Sequence, residues 1–429
     1  MITGKAPCGM RYAVKKDGAA VAYCSLSIAV GTRSEGRHHM GIAHFTEHTL
    51  FKGTLKRSAH EINSCLDRLG GDLNAYTNKE SIVLHATVLK EDLPLAGELL
   101  LELASCPTFP EEEVEKEKGV VLDEIGIYKD SPSDDIYDRF ETLLFDGHPL
   151  SRLILGTEAS VRKISPAELR AFVSENFSPR VMSLSMVADI SEEKMEELCL
   201  RLISEAFARA PESEPLTGSK PELAPAGFLA KLKRGARKPR FFSPDINVFD
   251  KVVRKGNHEA DAICGALAPS IYDKDRLAVS LLTNILGGPA SNSILNEELR
   301  EKNGWVYGVE ASYNRYSDCG CFSVSFTCDE ENVDKCMEAI YREFRKIQEE
   351  PLSEEALAAA KKQIIGQLSI SSDNGENRCL GMGESLMCYG RVPDDKESRR
   401  LILEISAANL QSAARKVLDI NRLSRLVYQ

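Results

Sequence analysis

No stretch of this 429-residue chain reaches the roughly 18 consecutive apolar residues that a membrane span needs. The N-terminal MITGKAPCGMRYAVKK has neither the apolar segment nor the cleavage site of a secretory leader. There is no C-x-x-C pair among the 12 cysteines, the closest two being Cys319 and Cys321. Most lie inside apolar runs, as Cys24, Cys65, Cys106 and Cys199 do, which is how a reduced thiol is used as a small hydrophobe. A disulfide framework is not expected in a chain of this size and pattern. Positive charge is not in excess either: 54 Lys and Arg stand against 65 Asp and Glu. The net charge of −11 argues against a general nucleic-acid binder. These absences predict a cytoplasmic protein with no membrane and no nucleic-acid partner.

What is present is ordinary globular composition, 43% hydrophobic and 28% charged, in a chain long enough for two or three domains and a large core. Residues 211–226, PESEPLTGSKPELAPA, hold four prolines and no apolar period, and read as a linker between domains at 1–210 and 227–429. In the first domain VAYCSLSIAV (21–30) reads as a buried strand, and a Gly-rich loop from Gly31 to Gly41 leads into a short helix. Ser58 and Glu61 are spaced as a capping box, opening a helix that ends near Gly70-Gly71. DLNAYTNKES and IVLHATVL read as a strand pair, and Asp92 to Ala104 as an amphipathic helix. Pro110 opens a long helix with Glu111, Glu112 and Glu113 in its first turn, where the helix dipole favours acidic groups. Further helices are expected at 132–145, 165–176 and 191–208, and a strand at RVMSLSMVAD.

The second half repeats the first. Phe51-Lys52-Gly53 answers to Leu286-Gly287-Gly288, an offset of 235. Leu66-Asp67 before Gly70-Gly71 answers to Leu299-Arg300 before Asn303-Gly304, an offset of 233. The helix from Pro110 answers to one from Ser353, an offset of 243, and Ser165 answers to Ser406, an offset of 241. A drift of a few residues is what loop insertions produce, so two copies of one α+β unit are expected. Hairpin-like pairs such as 307–314 with 319–327 fit that class.

Chemistry concentrates in His44-Phe45-Thr46-Glu47-His48. On a helix these two histidines and the glutamate share one face. Two imidazoles at that spacing can hold one divalent metal, and the carboxylate beside them can take a proton from water that the metal activates. The same pattern also fits a plain surface helix with polar side chains. Glu124 offers a third ligand: it lies among apolar neighbours in VVLDEIGIY, where a buried carboxylate without a partner is costly. Glu117, seven residues earlier, faces the same way. At the repeat offsets His44, Glu47 and His48 are replaced by Val279, Leu282 and Thr283, and Glu124 by Gln367. A polar set kept in one copy only reads as functional.

These residues resemble the inverted-zincin metallopeptidases of the pitrilysin and mitochondrial processing peptidase family, whose motif is H-x-x-E-H. GIAHFTEHTLFKGT is similar to the family's first motif throughout, and Glu124 follows His48 by 76 residues, close to the family's spacing. HPLSRLILGT, the NAYT stretch, and Leu286-Gly287-Gly288 followed by LREKNGWVY also match. The resemblance implies two α+β domains, each a mainly antiparallel, about six-stranded sheet with packed helices, together forming half of a clam-shell. It implies one Zn²⁺ per chain on His44, His48 and Glu124, Glu47 as general base, and Glu117 as support for the ligands. Arg300 and Tyr307 fall on its Arg and Tyr positions, as donors to a peptide carbonyl and its oxyanion. Asn74, Ala75, Tyr76 and Thr77 are expected as an edge to which an extended peptide adds as a strand. The implied activity is hydrolysis of unfolded peptides inside a dimeric chamber, closed by a second copy in a homodimer, since the chain keeps both the zinc set and the Arg/Tyr pair, or else by a different subunit in a heterodimer. A catalytically silent or merely peptide-binding structural subunit is the competing expectation.

Overall fold

The structure, a computed structural model, describes residues 1–207, 248–256 and 258–429. The expected linker at 211–226 lies outside them. Eleven strands and fourteen α-helices carry the described chain, and no described helix is long and apolar enough to cross a membrane.

The chain forms two compact units. The first comprises Met1–Gly126, the described part of Arg152–Arg234, and Ile370–Pro393. Its sheet has six strands: β1 (Ile2–Lys5), β2 (Arg11–Lys16), β3 (Val21–Ile28), β4 (Asp72–Thr77), β5 (Ile82–Leu89) and β6 (Met182–Ala188). Their order is β1-β2-β6-β3-β5-β4, antiparallel except for β2 beside β6. Helices α1 (Ile42–Leu50), α2 (Ala59–Asp67), α3 (Leu93–Ser105), α4 (Glu111–Lys129), α5 (Pro132–Leu144), α6 (Glu158–Val161), α7 (Pro166–Asn176) and α8 (Glu192–Phe207) follow in this half of the sequence. The capping box on α2 is present: Ser58 accepts from the Glu61 N–H while the Glu61 carboxylate accepts from Ser58.

Every residue of β6, MSLSMVA, is buried. The reason is that helices cover both faces of the sheet. One face meets α3 and α8. The other carries Ser25, Ser27, Ser183 and Ser185, and meets a helix supplied by the second half of the sequence, Gly375–Tyr389. That helix offers Gly375, Cys379 and Gly383 at four-residue spacing, so its backbone comes close. Ser25 Oγ donates to the Cys379 carbonyl (3.3 Å) and Ser183 Oγ to the Gly383 carbonyl (3.0 Å). A Cβ on Gly383 would come within 2.5 Å of Ser27 Oγ.

The second unit comprises Ile127–Ser151, the described part of Gly235–Ser369, and Asp394–Gln429. Its strands are β7 (Asp250–Val253), β8 (Ala260–Ala268), β9 (Val306–Arg315), β10 (Gly320–Cys328) and β11 (Ser424–Tyr428), in the order β7-β11-β8-β10-β9. Here too one pair, β7 with β11, is parallel. The sheet therefore has five strands among the described residues, where six were expected. Its helices are α9 (Arg276–Gly287), a π-helix at Asn296–Lys302, α10 (Val333–Glu349), α11 (Glu354–Asp373, reaching into the first unit), α13 (Asp395–Leu403) and α14 (Ala407–Val417), the Gly375–Tyr389 helix being α12. Helix α5 packs here, with Ile136, Phe140 and Leu144 against Ile263, Leu426 and Tyr428.

The repeat extends to the order of the elements. β7-β11-β8-β10-β9 retraces β2-β6-β3-β5-β4 strand for strand. In one place the register differs by a residue from the sequence alignment. The left-handed glycines are Gly70 and Gly304, an offset of 234, whereas the buried leucines Leu66 and Leu299 are 233 apart. One extra residue has entered the second copy between them. It widens that helix to the π form, and Arg300 sits in it.

Candidate metal centre

Helix α1 is a short, almost wholly buried helix whose start is fixed by a carboxylate from the loop before it. Glu35, with no exposed surface, accepts from the N–H groups of Gly41 (2.9 Å) and Ala43 (3.2 Å) with Oε1. Its Oε2 is held by Arg152 Nε at 2.6 Å. Burial pushes the Glu35 carboxyl up to about 7, against the pull of Arg152 and the two amides. Gly41 has φ +88°, and a Cβ there would meet the Leu155 carbonyl oxygen at 2.7 Å. The stretch HPLSRLILGT thus braces the start of α1 through Arg152 and through backbone contact.

On α1, His44 and Glu47 are buried and His48 nearly so. The two imidazoles stand edge to face, centroids 4.6 Å apart. Two turns of α4 bring in both glutamates. Glu124 Oε2 lies 3.7 Å from His44 Nε2 and 3.6 Å from His48 Nε2. One ligand atom from each of these three residues lies within 4.8 Å of the other two. Glu117 Oε1 is 2.8 Å from His48 Nδ1, and its Oε2 is 2.7 Å from Lys52 Nζ. Thr77, at the end of β4, donates to Glu47 Oε2 at 2.6 Å.

Glu124 is not enclosed by apolar neighbours as the sequence suggested. Val121 and Ile125 point into the core, but the face carrying Glu124 also carries Val120 and Ile127, both exposed. The helical period separates residues that are adjacent in sequence. What is buried is one atom: Glu124 Oε2 is sequestered and accepts no hydrogen bond, and His44 Nδ1 is in the same condition.

The electrostatics fit a cation at this point. Burial, with His48 beside it, pushes His44 down to about 3, leaving a neutral imidazole with a lone pair to offer. Burial pushes Glu124 and Glu47 up; His48 opposes this for both, and Thr77 opposes it for Glu47. Burial works against a charged His48 too, but the bond to Glu117 and the carboxylates of Glu47 and Glu124 outweigh it and raise its pKa. Two imidazole nitrogens and a carboxylate oxygen that lacks a partner converge, and this is the donor set of a catalytic zinc site with an open position. The residues fit the ion.

The other expected site residues lie as follows. Asn74, Ala75, Tyr76 and Thr77 are in β4, which among the described residues is the edge of its sheet and pairs only with β5. Asn74 donates to Asp72 Oδ2 (2.9 Å), and Tyr76 is 41% exposed. Arg300 and Tyr307 belong to the second unit, both exposed, with the Tyr307 hydroxyl on Asp329 Oδ1 at 3.0 Å. Three contacts escaped the sequence reading: Lys52 on Glu117, Thr77 on Glu47, and Arg152 on Glu35. Lys52 and Arg152 stand inside recognised motifs, FKGT and HPLSRLILGT, but spacing along the chain does not reveal a partner 65 or 117 residues away.

Comparison with known proteins agrees with this architecture. Residues 11–158 match the family model described as "Insulinase (Peptidase family M16)", and residues 163–364 the one described as "Peptidase M16 inactive domain". The chain belongs to peptidase family M16, as a half-length member with both of its domains. It is 27% identical over 394 residues to an uncharacterized zinc protease of Streptomyces coelicolor, covering 91% of this chain and 81% of that one. It is 28% identical over 386 residues to an uncharacterized zinc protease of Bacillus subtilis, covering 90% and 86%. Among solved structures, a protease from Helicobacter pylori shares the fold with a TM-score of 0.85 at 19% identity, over 100% of this chain and 99% of that one. A peptidase M16 inactive domain from Pseudomonas fluorescens does so with a TM-score of 0.83 at 19% identity, over 100% and 97%.

Proposed function

We propose that the chain is a zinc-dependent endopeptidase acting on unfolded peptides. The observation that carries this reading is the convergence of His44 Nε2, His48 Nε2 and a partnerless Glu124 Oε2 beside Glu47. The relatives' names, zinc protease, support it. Zinc would be held by His44, His48 and Glu124, one ion per chain; when bound it supplies Lewis acidity, polarising a carbonyl and bringing the pKa of water towards about 7.

Glu47 is the general base. Thr77 occupies its Oε2, which leaves Oε1 to take the proton of the attacking water and pass it to the leaving amine. Glu117 fixes the ring of His48 so that Nε2 faces the ligand set. Arg300 and Tyr307 donate to the peptide carbonyl as it gains negative charge. The substrate adds to the β4 edge as an extended strand, through backbone pairing that reads shape more than sequence. The working form is a cytoplasmic homodimer, a chamber in which the Arg300 and Tyr307 of one chain serve the zinc of its partner.

A silent structural subunit is the competing reading. The description "inactive domain" belongs to residues 163–364, where Val279, Leu282 and Thr283 stand at the ligand and base positions. All three ligands and the base fall in the stretch matched by the other model, which favours catalysis. The test is hydrolysis of an internally quenched fluorogenic peptide with and without chelator, alongside metal content. Zinc near one per chain and chelator-sensitive cleavage are expected; a zinc-loaded chain that binds the peptide without cleaving it overturns the reading.

A further inference from the structure

Glu117 has two carboxylate oxygens and uses each once. Oε1 meets His48 Nδ1 at 2.8 Å, and Oε2 meets Lys52 Nζ at 2.7 Å. Glu117 is 6% exposed, so its orientation and charge depend on these two partners. Lys52 is the second residue past the end of α1, its N–H on the Thr49 carbonyl (3.1 Å), where a cation is favoured by the helix dipole. The backbone that carries His48 therefore also carries the cation that grips the far side of Glu117.

We infer that Lys52 is a positioning residue of the metal centre: through Glu117 it fixes the His48 imidazole in the orientation that presents Nε2 to His44 and Glu124. The inference rests on the reading of His44, His48 and Glu124 as zinc ligands. The second copy of the repeat supports it independently. At the offsets that pair the two copies, Thr283 stands for His48 and Gln367 for Glu124, and Ala360 and Gly287 stand for Glu117 and Lys52. Ion pairs that serve only packing have no reason to disappear together with the ligands. In this chain the Lys52–Glu117–His48 line is present where the ligands are and absent where they are absent.

A cation that merely neutralises a buried carboxylate acts on stability, whereas a positioning residue acts on the metal. The full-length chain, stripped of zinc, is titrated against a chromophoric chelator as wild type, Lys52→Met, Lys52→Arg, Glu117→Gln and Lys52→Met/Glu117→Gln, and the metal-free forms are melted. Loss of an outer partner of a ligand costs about 10- to 100-fold in metal affinity. Lys52→Met is expected at the lower end, about tenfold weaker in zinc, with a lower metal-free melting point as well because Glu117 keeps only His48; Lys52→Arg, which keeps the charge, restores most of both losses. In the Glu117→Gln background Lys52→Met causes no further weakening. The inference is overturned by wild-type zinc affinity in Lys52→Met, or by an equal loss in the Glu117→Gln background. Should Lys52→Met not fold, Lys52→Gln, which removes the charge but keeps a polar side chain, is titrated in its place and decides in the same terms. A wild-type chain that binds no zinc overturns the ligand assignment as well; unaltered binding in Lys52→Met overturns the role of Lys52 alone.

Discussion

Two glutamates on one helix, Glu117 and Glu124, are placed in opposite electrostatic conditions. Burial works against an ionised Glu117, but its bonds to His48 and Lys52 outweigh this and hold it below the usual carboxylate range. Burial, with the charge of Glu117 adding to it, raises Glu124 against the opposing charge of His48. The first is satisfied by the protein, and the second lacks a cation. Glu124→Gln should therefore lose zinc without lowering the melting point of the metal-free chain, since no protein hydrogen bond of Oε2 is given up. Unchanged zinc content by mass spectrometry would remove Glu124 from the ligand set. At this scale the sequence revealed what depends on helical spacing: the face shared by His44, Glu47 and His48, and the two turns from Glu117 to Glu124. It did not reveal that Thr77 meets Glu47, because that contact needs the edge strand β4 to pack on α1, 30 residues away.

At the scale of elements, the helix that carries His44, Glu47 and His48 is short, nine residues from Ile42 to Leu50, and owes its position to its ends more than its length. Glu35 holds the first turn and Arg152 holds Glu35, whose side chain is fully buried. Arg152→Met leaves that carboxylate without a cation, and breaking a buried pair from one side costs about 3 kcal/mol or more. A clear fall in the urea midpoint of the metal-free protein is the expected result; a midpoint equal to wild type would mean that the pair does not hold α1. Strands β3 to β6 and helices α1 to α5, α7 and α8 are where apolar period and capping residues put them, down to the Ser58 capping box, whereas β1, β2 and α6 were not expected. The sequence was silent on which sheet face α5 and α12 would cover. Their apolar stripes and small residues say that each packs, but the partner is chosen by the tertiary fold, and each is taken up by the unit built mainly from the other half. The π-helix was likewise invisible, since one residue of drift between Leu299 and Gly304 has no signature until the glycines are seen in their left-handed conformation.

The whole molecule is two copies of one topology with the polar set in one of them, and the repeat was readable because loop insertions shift the register slowly along the chain. An isologous dimer would put two composite sites across a chamber, each with zinc from one chain and the Arg300 and Tyr307 of the other. Mixing inactive Glu47→Gln with inactive Tyr307→Phe chains tests that arrangement. Half of a statistically mixed population is heterodimeric, with one site free of both lesions, so about a quarter of wild-type activity should return. If both residues serve their own chain's zinc, no activity returns even when differently tagged subunits are seen to exchange. The most direct measurement of the central claim is turnover of a quenched peptide by zinc-loaded Glu47→Gln. The account predicts full zinc occupancy with hydrolysis at least ~10²-fold slower than wild type, the scale of a positioned base. Near-normal turnover by that zinc-loaded variant would contradict it.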